Sequence, residues 1–233
     1  MNVKNSLMNW RRNSFLLIII GPLQYIICTS IAMIFYAGGT FTNPNATGYS
    51  FWQNFFSDLG RTIALSGNSN TISLIIFMIS AIILVFSLIL YVFAIPIFFK
   101  EKLYHFRISR INLFLGTLTG VFMFGVLFTP WDIFSDIHLT FSKLFSLTSL
   151  VVLIYLTYII IKNENYPNIY AYLYLIVIVI ALVYTFIVLI GPELITQEGL
   201  ILQASAQKIS QYSWLICFMI QGYGSLKLDN FSL

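Results

Sequence analysis

The sequence predicts an all-α, polytopic integral membrane protein that folds as a six-transmembrane-helix bundle. The first observation is composition: of 233 residues, 59% are hydrophobic and only 9% are charged, whereas roughly a quarter of an average soluble domain is charged. The second is patterning, because six apolar runs approach the ~20 residues that a helix needs to cross a bilayer. The third is the uneven distribution of lysine and arginine among the connecting segments, which indicates the orientation of the bundle.

The apolar runs leave little of the chain outside the membrane, so we expect a single transmembrane domain over residues 1–233. Helices are expected because backbone groups in the hydrocarbon layer must be hydrogen-bonded within their own segment. The predicted spans are approximately residues 14–36, 72–99, 111–128, 138–161, 169–191 and 204–223. The long outer loop, residues 37–71, contains a glycosylation sequon at Asn45. Its aromatic residues predict a short helix lying on or dipping into the outer leaflet.

The basic residues predict that both termini are cytoplasmic. Nine lysine and arginine residues lie in the two terminal segments and in the connections after spans two and four, whereas the opposite connections hold only Arg61. Loops rich in lysine and arginine stay in the cytoplasm. Because this rule also accounts for the net charge of +4, the charge does not indicate nucleic-acid binding. We expect a multi-pass protein of the cell (plasma) membrane with membrane lipids as its partners.

Polar residues near the outer ends of two spans predict a site in the outer half of the bundle. Lys143 and Lys208 each lie on the order of 6–8 Å along their helix from the outer end, where they either extend to the headgroups or face the interior and meet acidic residues. Asp132, Asp136 and Lys143 have the spacing of one helix face, which favours the second interpretation. Gln207 belongs to a stripe of glutamines expected to face partner helices or a wet cavity.

The outer loop contributes the segment Ser57-Asp58-Leu59-Gly60-Arg61 just before span two. Two interpretations of Asp58 stay open: a structural cap or ion pair with Arg61, Lys143 or Lys208, and a direct role in binding or catalysis. Gly60 is expected to supply a tight turn or close packing. The predicted ligand-binding residues are Asp58, Arg61, Asp132, Asp136, His138, Lys143, Gln207 and Lys208.

Two short motifs lie on this predicted outer side. Residues 55–60 read FFSDLG, and residues 125–132 read GVLFTPWD and are followed by His138. They resemble the ISDLG and G-x-F-P-x-D…H patterns of a six-span prokaryotic membrane family known as domain of unknown function 998, with Thr129 inserted in the second pattern. More distantly, the loop is similar to the six-span autophagy-modulator and GPI-lipid-remodelling group. The resemblance implies the six-helix fold and a site at these motifs, without an established activity.

The absence of a specific catalytic motif favours a binding protein whose outer polar site holds a lipid headgroup or a small polar molecule. Lys143 and Lys208 would then bind a phosphate as point charges. A transporter is less favoured, because the cytoplasmic half reads as almost purely apolar. No cofactor is identified. No metal is expected, since catalytic zinc usually needs three protein ligands and one of the two histidines, His105, lies on the cytoplasmic side. A site of His138 with Asp58 and either Asp132 or Asp136 is the alternative that stays open.

The alternative is a membrane-embedded lipid hydrolase or transferase, so whether the chain is an enzyme stays open. Such chemistry needs a nucleophile, a base and a group that orients the base. The candidates are Ser57, Ser135 or Ser142 as nucleophile, His138 as base, and Asp58 or Asp136 as the orienting carboxylate. A serine within hydrogen-bond reach of His138 would favour the enzyme, whereas a closed set of salt bridges would favour a structural cluster.

Overall fold

The computed structural model describes residues 3–100 and 103–231, and within these ranges it contains helices and no strand. The α-helices are α1 (Val3–Ile34), α2 (Thr71–Ala94), α3 (Leu103–Leu127), α4 (Trp131–Ile161), α5 (Ile169–Ile190) and α6 (Gln197–Phe231). The all-α prediction is confirmed. The observed helices are mostly longer than the predicted spans, because the apolar runs locate the buried part of each helix rather than its ends.

The α-helices form a closed ring in chain order. Each helix packs against the next one, and α6 packs against α1. Large apolar side chains cover the outside of the ring, among them Ile75, Ile79, Val179 and Phe186. Water does not tolerate so large an apolar exterior, whereas the hydrocarbon layer of a membrane favours it. The fold is therefore that of a membrane helical bundle.

Within the described residues, five of the helices are both long and apolar enough to cross a bilayer. They are Asn9–Ile34, Thr71–Phe99, Phe106–Leu127, Trp131–Ile161 and Ile169–Ile190. α6 has 35 residues and is long enough, but it is not among these five. Its lower hydropathy has a structural reason, because most of its glutamines are buried or half-buried, as at Gln203 and Gln207, and only Gln197 at its start is exposed. Its exposed face is apolar, as at Ile209 and Ile216.

Two irregularities affect the position of side chains. The α-helical part of the second span ends at Ala94, and the 3₁₀ helix Ile95–Phe99 follows, because Pro96 has no N–H to donate to the α-helical ladder. In α4 the backbone of Phe134 is non-helical, with φ −126° and ψ 47°. The helix therefore starts with a short, separately oriented turn before its main part begins.

The outer loop, residues 35–70, is folded into a compact cap on the bundle. Its two turns at Gly38 and Gly39 have φ of +98° and +87°, which side-chain-bearing residues rarely adopt. A Cβ on Gly39 would also lie 2.2 Å from the backbone nitrogen of Ser66. We refer to residues 35–70 as the outer cap.

Buried asparagines take the place of regular backbone pairing in the outer cap. Asn70 donates from Nδ2 to the carbonyls of Leu59 at 3.2 Å and Arg61 at 3.0 Å, and its Oδ1 accepts from the Ala37 N–H at 3.3 Å. These bonds fix the C-terminal end of the 3₁₀ helix Phe56–Gly60 and tie it to the start of the loop. The expectation of a short interfacial helix is corrected accordingly: the helix is only five residues long, and most of its residues are buried in the protein.

Candidate functional site

A cavity of about 240 Å³ lies inside the helix ring, beneath the outer cap. Every α-helix of the bundle and the 3₁₀ helix of the cap contribute to its lining. The polar lining side chains in the described chain are Tyr25, Ser57, His138, Ser142, Ser146, Ser149, Tyr184, Thr185, Gln207, Ser210 and Gln211. The rest of the lining is apolar or aromatic, and none of the lining residues in the described chain carries a formal charge. Concave, mainly apolar sites with a few convergent polar groups are typical of small-molecule binding.

The outer cap closes the outer end of this cavity. The backbone N–H of Phe56 donates to Oε1 of Gln207 on α6 at 2.9 Å, so the cap is hydrogen-bonded to the cavity wall. Ser57 and Gly60 line the space directly. A Cβ on Gly60 would lie 2.9 Å from the ring of Phe77. The close packing expected at Gly60 is therefore present.

Asp58 supports the cap and does not line the cavity. Its Oδ2 accepts from the backbone N–H of Phe55 at 2.8 Å and from Nδ2 of Asn54 at 3.2 Å. Burial raises the pKa of Asp58 to about 6, while these hydrogen bonds and the charges of Arg61 and Lys208 lower it in part. Its other oxygen, Oδ1, is buried and has no hydrogen-bond partner among the described residues. The arrangement is that of a helix cap.

No ion pair joins Asp58 to Lys208, to Arg61 or to Lys143 in the described part of the chain. Arg61 instead donates from Nε to the carbonyl of Ile63 at 3.2 Å. The predicted ion pairs of Asp58 are therefore absent from these residues. Arg61 lies outside the cavity lining.

Lys208 is buried, with a side chain that is 1% exposed, as the interior-facing interpretation expects. Its Nζ donates to the backbone carbonyl of Asn54 in the outer cap. The rings of Tyr49, Phe51 and Phe56 surround the ammonium, with centroids 5.4, 5.1 and 5.6 Å from Nζ. Such aromatic faces attract a cation. The partner of Lys208 is thus a carbonyl within an aromatic cage, where acidic residues were expected.

Asp132 connects α4 to the outer cap. Its carboxylate accepts from the backbone N–H groups of Thr62 at 3.1 Å and Ile63 at 3.0 Å, and from the hydroxyl of Thr62. All these donors lie just after the 3₁₀ helix. Asp132 therefore binds the outer cap to α4, and it lies outside the cavity lining.

The prediction that Asp136 and Lys143 face the bundle interior is wrong, since both side chains are exposed on the outside of α4. The kink at Phe134 separates the turn of Asp132 from the rest of the helix, so the assumed common face does not exist. The inward face of α4 contains His138 and Ser142 instead. The exposure of Lys143 agrees with the alternative interpretation, in which its side chain extends to the headgroups.

His138 is buried and lines the cavity. Its Nδ1 lies 2.7 Å from the carbonyl oxygen of Thr129, and because a carbonyl can only accept, Nδ1 carries a proton. In the neutral imidazole, Nε2 is then the acceptor. The ring of Trp131 is parallel to the imidazole, with centroids 6.0 Å apart and an interplanar angle of 3°. The ring is therefore held in one orientation, with one acceptor nitrogen left.

The described residues do not assemble a nucleophile, base and acid. No serine is hydrogen-bonded to His138 there, Ser135 is exposed, and Asp58 accepts its hydrogen bonds within the cap. The same part of the chain contains no group of three or more His, Cys, Asp and Glu residues that could hold a metal ion; the side chain of His105 lies outside it.

Sequence reasoning missed several wall residues, including Tyr184, Ser210 and Trp214. One signal was available, because Ser142, Ser146 and Ser149 recur at the three- and four-residue spacing that defines a helix face. No comparable signal marks the residues of α5, where an apolar run surrounds Tyr184. The aromatic cage of Lys208 was also missed, since it depends on the folded path of the outer cap.

The half of the bundle away from the outer cap, which the sequence predicts to be cytoplasmic, is less apolar than the sequence indicated. Tyr91, Tyr166 and Tyr174 are buried there, and the hydroxyls of Tyr166 and Ser225 are 3.4 Å apart. The hydroxyls of Tyr91 and Tyr174 make no well-formed hydrogen bond among the described residues. Phe218 contacts both rings, at centroid distances of 6.3 and 6.4 Å, and also lines the cavity. Phe218 thus separates the cavity from these inner tyrosines.

Comparisons with known proteins leave the identity of the chain open. No family model matches it, and neither the curated proteins nor the solved structures contain a match. Its function has to be argued from the cavity and the groups that line it.

Proposed function

We propose that this chain is an integral membrane binding protein whose cavity, in the outer half of the bundle, holds a lipid headgroup or a small polar molecule. One observation carries the proposal: eleven polar side chains of the described residues line a space of about 240 Å³. Polar groups inside a membrane are costly unless they find partners. These groups line one concave space beneath a folded cap, an arrangement typical of small-molecule binding sites.

We further propose that α6 is a sixth span, that both termini are cytoplasmic and that the protein resides in the plasma membrane. With 35 residues, α6 is about 52 Å long. The ion pair between Arg11 and Asp229, at 3.3 Å, brings the start of α1 and the end of α6 together, which supports termini on one side. In a variant without native cysteines, a cysteine at Asn45 should react with an impermeant maleimide from outside intact cells. A cysteine at Lys162 should react only after lysis, and the reverse pattern would contradict the orientation.

A relationship to the family known as domain of unknown function 998 is part of this proposal. The two motifs that resemble the family both contribute to the lining of one cavity: Ser57 and Gly60 come from the first, and Pro130, Trp131 and His138 come from the second. Two motifs that are distant in the sequence and adjacent to one space support a shared site.

A lipid hydrolase or transferase is the second candidate. The observation in its favour is that His138, Ser57 and Ser142 line the same cavity. A ligand would have to bring a serine into hydrogen-bond reach of Nε2, since Nδ1 already donates to Thr129. Binding alone requires no such rearrangement, so we place it first.

Native mass spectrometry of the purified protein tests the proposed function. The parent should retain a small molecule or lipid that is released on stronger activation. Ser142→Leu fills part of the cavity and should lower the retained fraction at least several-fold. Lys143→Ala, one residue along on the exposed face of α4, is the matched control and should behave as the parent. Equal retention by all three proteins, or no retained molecule in the parent, would contradict a ligand in this cavity.

A further inference from the structure

We infer that the ligand of this cavity is an uncharged alcohol attached to an apolar body, either a free alcohol or the hydroxyl end of a neutral lipid. This inference rests on the proposed function and narrows its ligand class. Three features of the cavity carry it: the lack of charge in the lining, the hydrogen-bonding capacity of two wall residues, and the volume.

The charged side chains near the cavity are hydrogen-bonded to groups of the outer cap. Lys208 donates to the Asn54 carbonyl inside its aromatic cage, and Asp132 accepts three donors of the outer cap. Neither residue is part of the lining, which contains no formally charged side chain in the described chain. A phosphate or carboxylate in this space would be a buried charge without a counter-charge, which is strongly unfavourable. The charge distribution therefore selects against the phosphate for which Lys208 was first considered.

His138 and Gln207 leave one acceptor and one donor group for a ligand. Nδ1 of His138 donates to Thr129, so Nε2 of the neutral ring accepts. Oε1 of Gln207 accepts from the N–H of Phe56, and this backbone donor fixes which end of the amide carries the NH₂ group. One N–H of that group donates to the hydroxyl of Tyr184, so the second N–H is the donor left for a ligand. A hydroxyl group both donates and accepts. It is the simplest uncharged group that satisfies both residues.

The volume of the cavity limits the size of the part of the ligand that it can hold. A cavity of about 240 Å³ has room for roughly eight groups of the size of a water molecule, so a hydroxyl with a chain of about eight carbons approximately fills it. Leu84, Leu88, Leu150 and Phe218 supply apolar wall for that chain. Ser149 needs no ligand atom, because its hydroxyl donates to the carbonyl of Ser146 at 2.9 Å.

Photolabelling tests the inference on the full chain in lipid nanodiscs. Two probes are compared, a diazirine-bearing octanol and a diazirine-bearing octanoic acid, and the labelled residues are mapped by peptide mass spectrometry. The alcohol should label the cavity lining, and the octanoate should label it at least several-fold less. Unlabelled 1-octanol should displace the alcohol probe, whereas octyl methyl ether, which has no donor, should compete much more weakly. Dioleoylglycerol should compete if the source is a neutral lipid and should not if it is a free alcohol.

A variant of His138 tests whether its Nε2 atom accepts a hydrogen bond from the alcohol. His138→Phe keeps an aromatic ring against Trp131 and removes Nε2, so labelling by the alcohol should fall several-fold. Lys143→Ala is the control on the exposed face of α4 and should label as the parent does. The probe comparison on the parent decides the question even if His138→Phe does not fold.

Each contrary result has a distinct meaning. Equal or stronger cavity labelling by octanoate, or equal competition by the methyl ether, would overturn the neutral-alcohol inference and leave a binding cavity in place. Absence of cavity labelling by both probes would overturn the inference and count against the proposed function as well.

Discussion

Asn54 and Asp58 form a buried pair in the outer cap, in which Nδ2 of Asn54 donates to Oδ2 of Asp58 at 3.2 Å. Both side chains are 0% exposed. The backbone carbonyl of Asn54 in turn accepts from Nζ of Lys208 on α6. The pair therefore links the 3₁₀ helix of the cap to α6, and its loss should destabilise the cap.

The first prediction separates the cap role of Asp58 from a role for its charge. Asp58→Asn keeps an oxygen for the Phe55 N–H and replaces the unpartnered Oδ1 by an amide, so unfolding midpoints in detergent should stay at or above the parent value. Asp58→Ala leaves Asn54 and the Phe55 N–H without an acceptor and should cost about 2 kcal/mol. Equal losses in both variants would mean that the negative charge itself is required.

The second prediction concerns pH. Burial raises the pKa of Asp58 from its ordinary 3.8 to about 6, so the folded state favours the protonated carboxyl. The stabilisation from this group is fully present below the unfolded pKa and is lost as the pH rises through about 6. Relative to Asp58→Asn, the parent should lose on the order of 3 kcal/mol of unfolding free energy across this interval. Parallel pH profiles of the two proteins would contradict the raised pKa.

The third prediction tests the bond between α4 and the outer cap. Asp132→Ala removes the acceptor of the Thr62 and Ile63 N–H groups, so these two amides should exchange hydrogen faster, with a loss of about 1–3 kcal/mol in stability. Asp136→Ala, on the exposed side of the same helix, is the control and should stay within about 0.5 kcal/mol of the parent. Unchanged exchange at Thr62 in the Asp132 variant would refute the link.

The fourth prediction concerns the buried lysine. Lys208→Met fills the aromatic cage without charge, and the Asn54 carbonyl still accepts from the hydroxyl of Tyr49 at 3.1 Å. We therefore expect a change of less than about 1.5 kcal/mol and unchanged ligand retention in native mass spectrometry. Lys208→Ala leaves a cavity and should cost about 2–5 kcal/mol. Loss of the retained ligand in a folded Lys208→Met protein would show that the ammonium contacts it.

The fifth prediction tests the inner tyrosines. The Tyr91 hydroxyl is buried without a well-formed hydrogen bond among the described residues, so Tyr91→Phe should leave thermal stability unchanged or raise it by up to about 1 kcal/mol. Tyr166→Phe removes a hydroxyl close to Ser225 and should lower stability by a similar amount. A clear loss in Tyr91→Phe would indicate that its hydroxyl is hydrogen-bonded to the neighbouring hydroxyls of Tyr174 or Ser225 and would contradict this prediction.

Hydropathy predicted the helices well because the membrane requires long apolar runs and hydrogen-bonded backbone. The fifth span, for example, was predicted over residues 169–191 and is observed at Ile169–Ile190. Side-chain direction was predictable only where the helix is regular. Gln207 was expected to face partner helices or a wet cavity and lines the cavity, whereas the placement of Asp136 and Lys143 failed because no sequence signal marks the kink at Phe134.

The sequence left two roles open for Asp58, a structural one and a direct one in binding or catalysis. It could not decide between them, because the partners of Asp58 are the backbone of Phe55 and the side chain of Asn54, which lie in a loop without periodicity. Neither the presence nor the size of the cavity could be predicted from the sequence, since the cavity forms only when α6 packs against α1 and closes the ring. Some of the polar residues that line the cavity could be predicted, because polar residues on a membrane span are costly when they face lipid and therefore indicate the inner face of the helix.

A crystal structure of the parent grown from a lipidic mesophase tests the central claim most directly, namely that the cavity beneath the outer cap is a ligand site. We predict connected non-protein density in contact with Nε2 of His138 and the amide of Gln207, of a size that fits about 240 Å³. A core in which side chains fill this space, or a cavity that contains only ordered water, would contradict the claim.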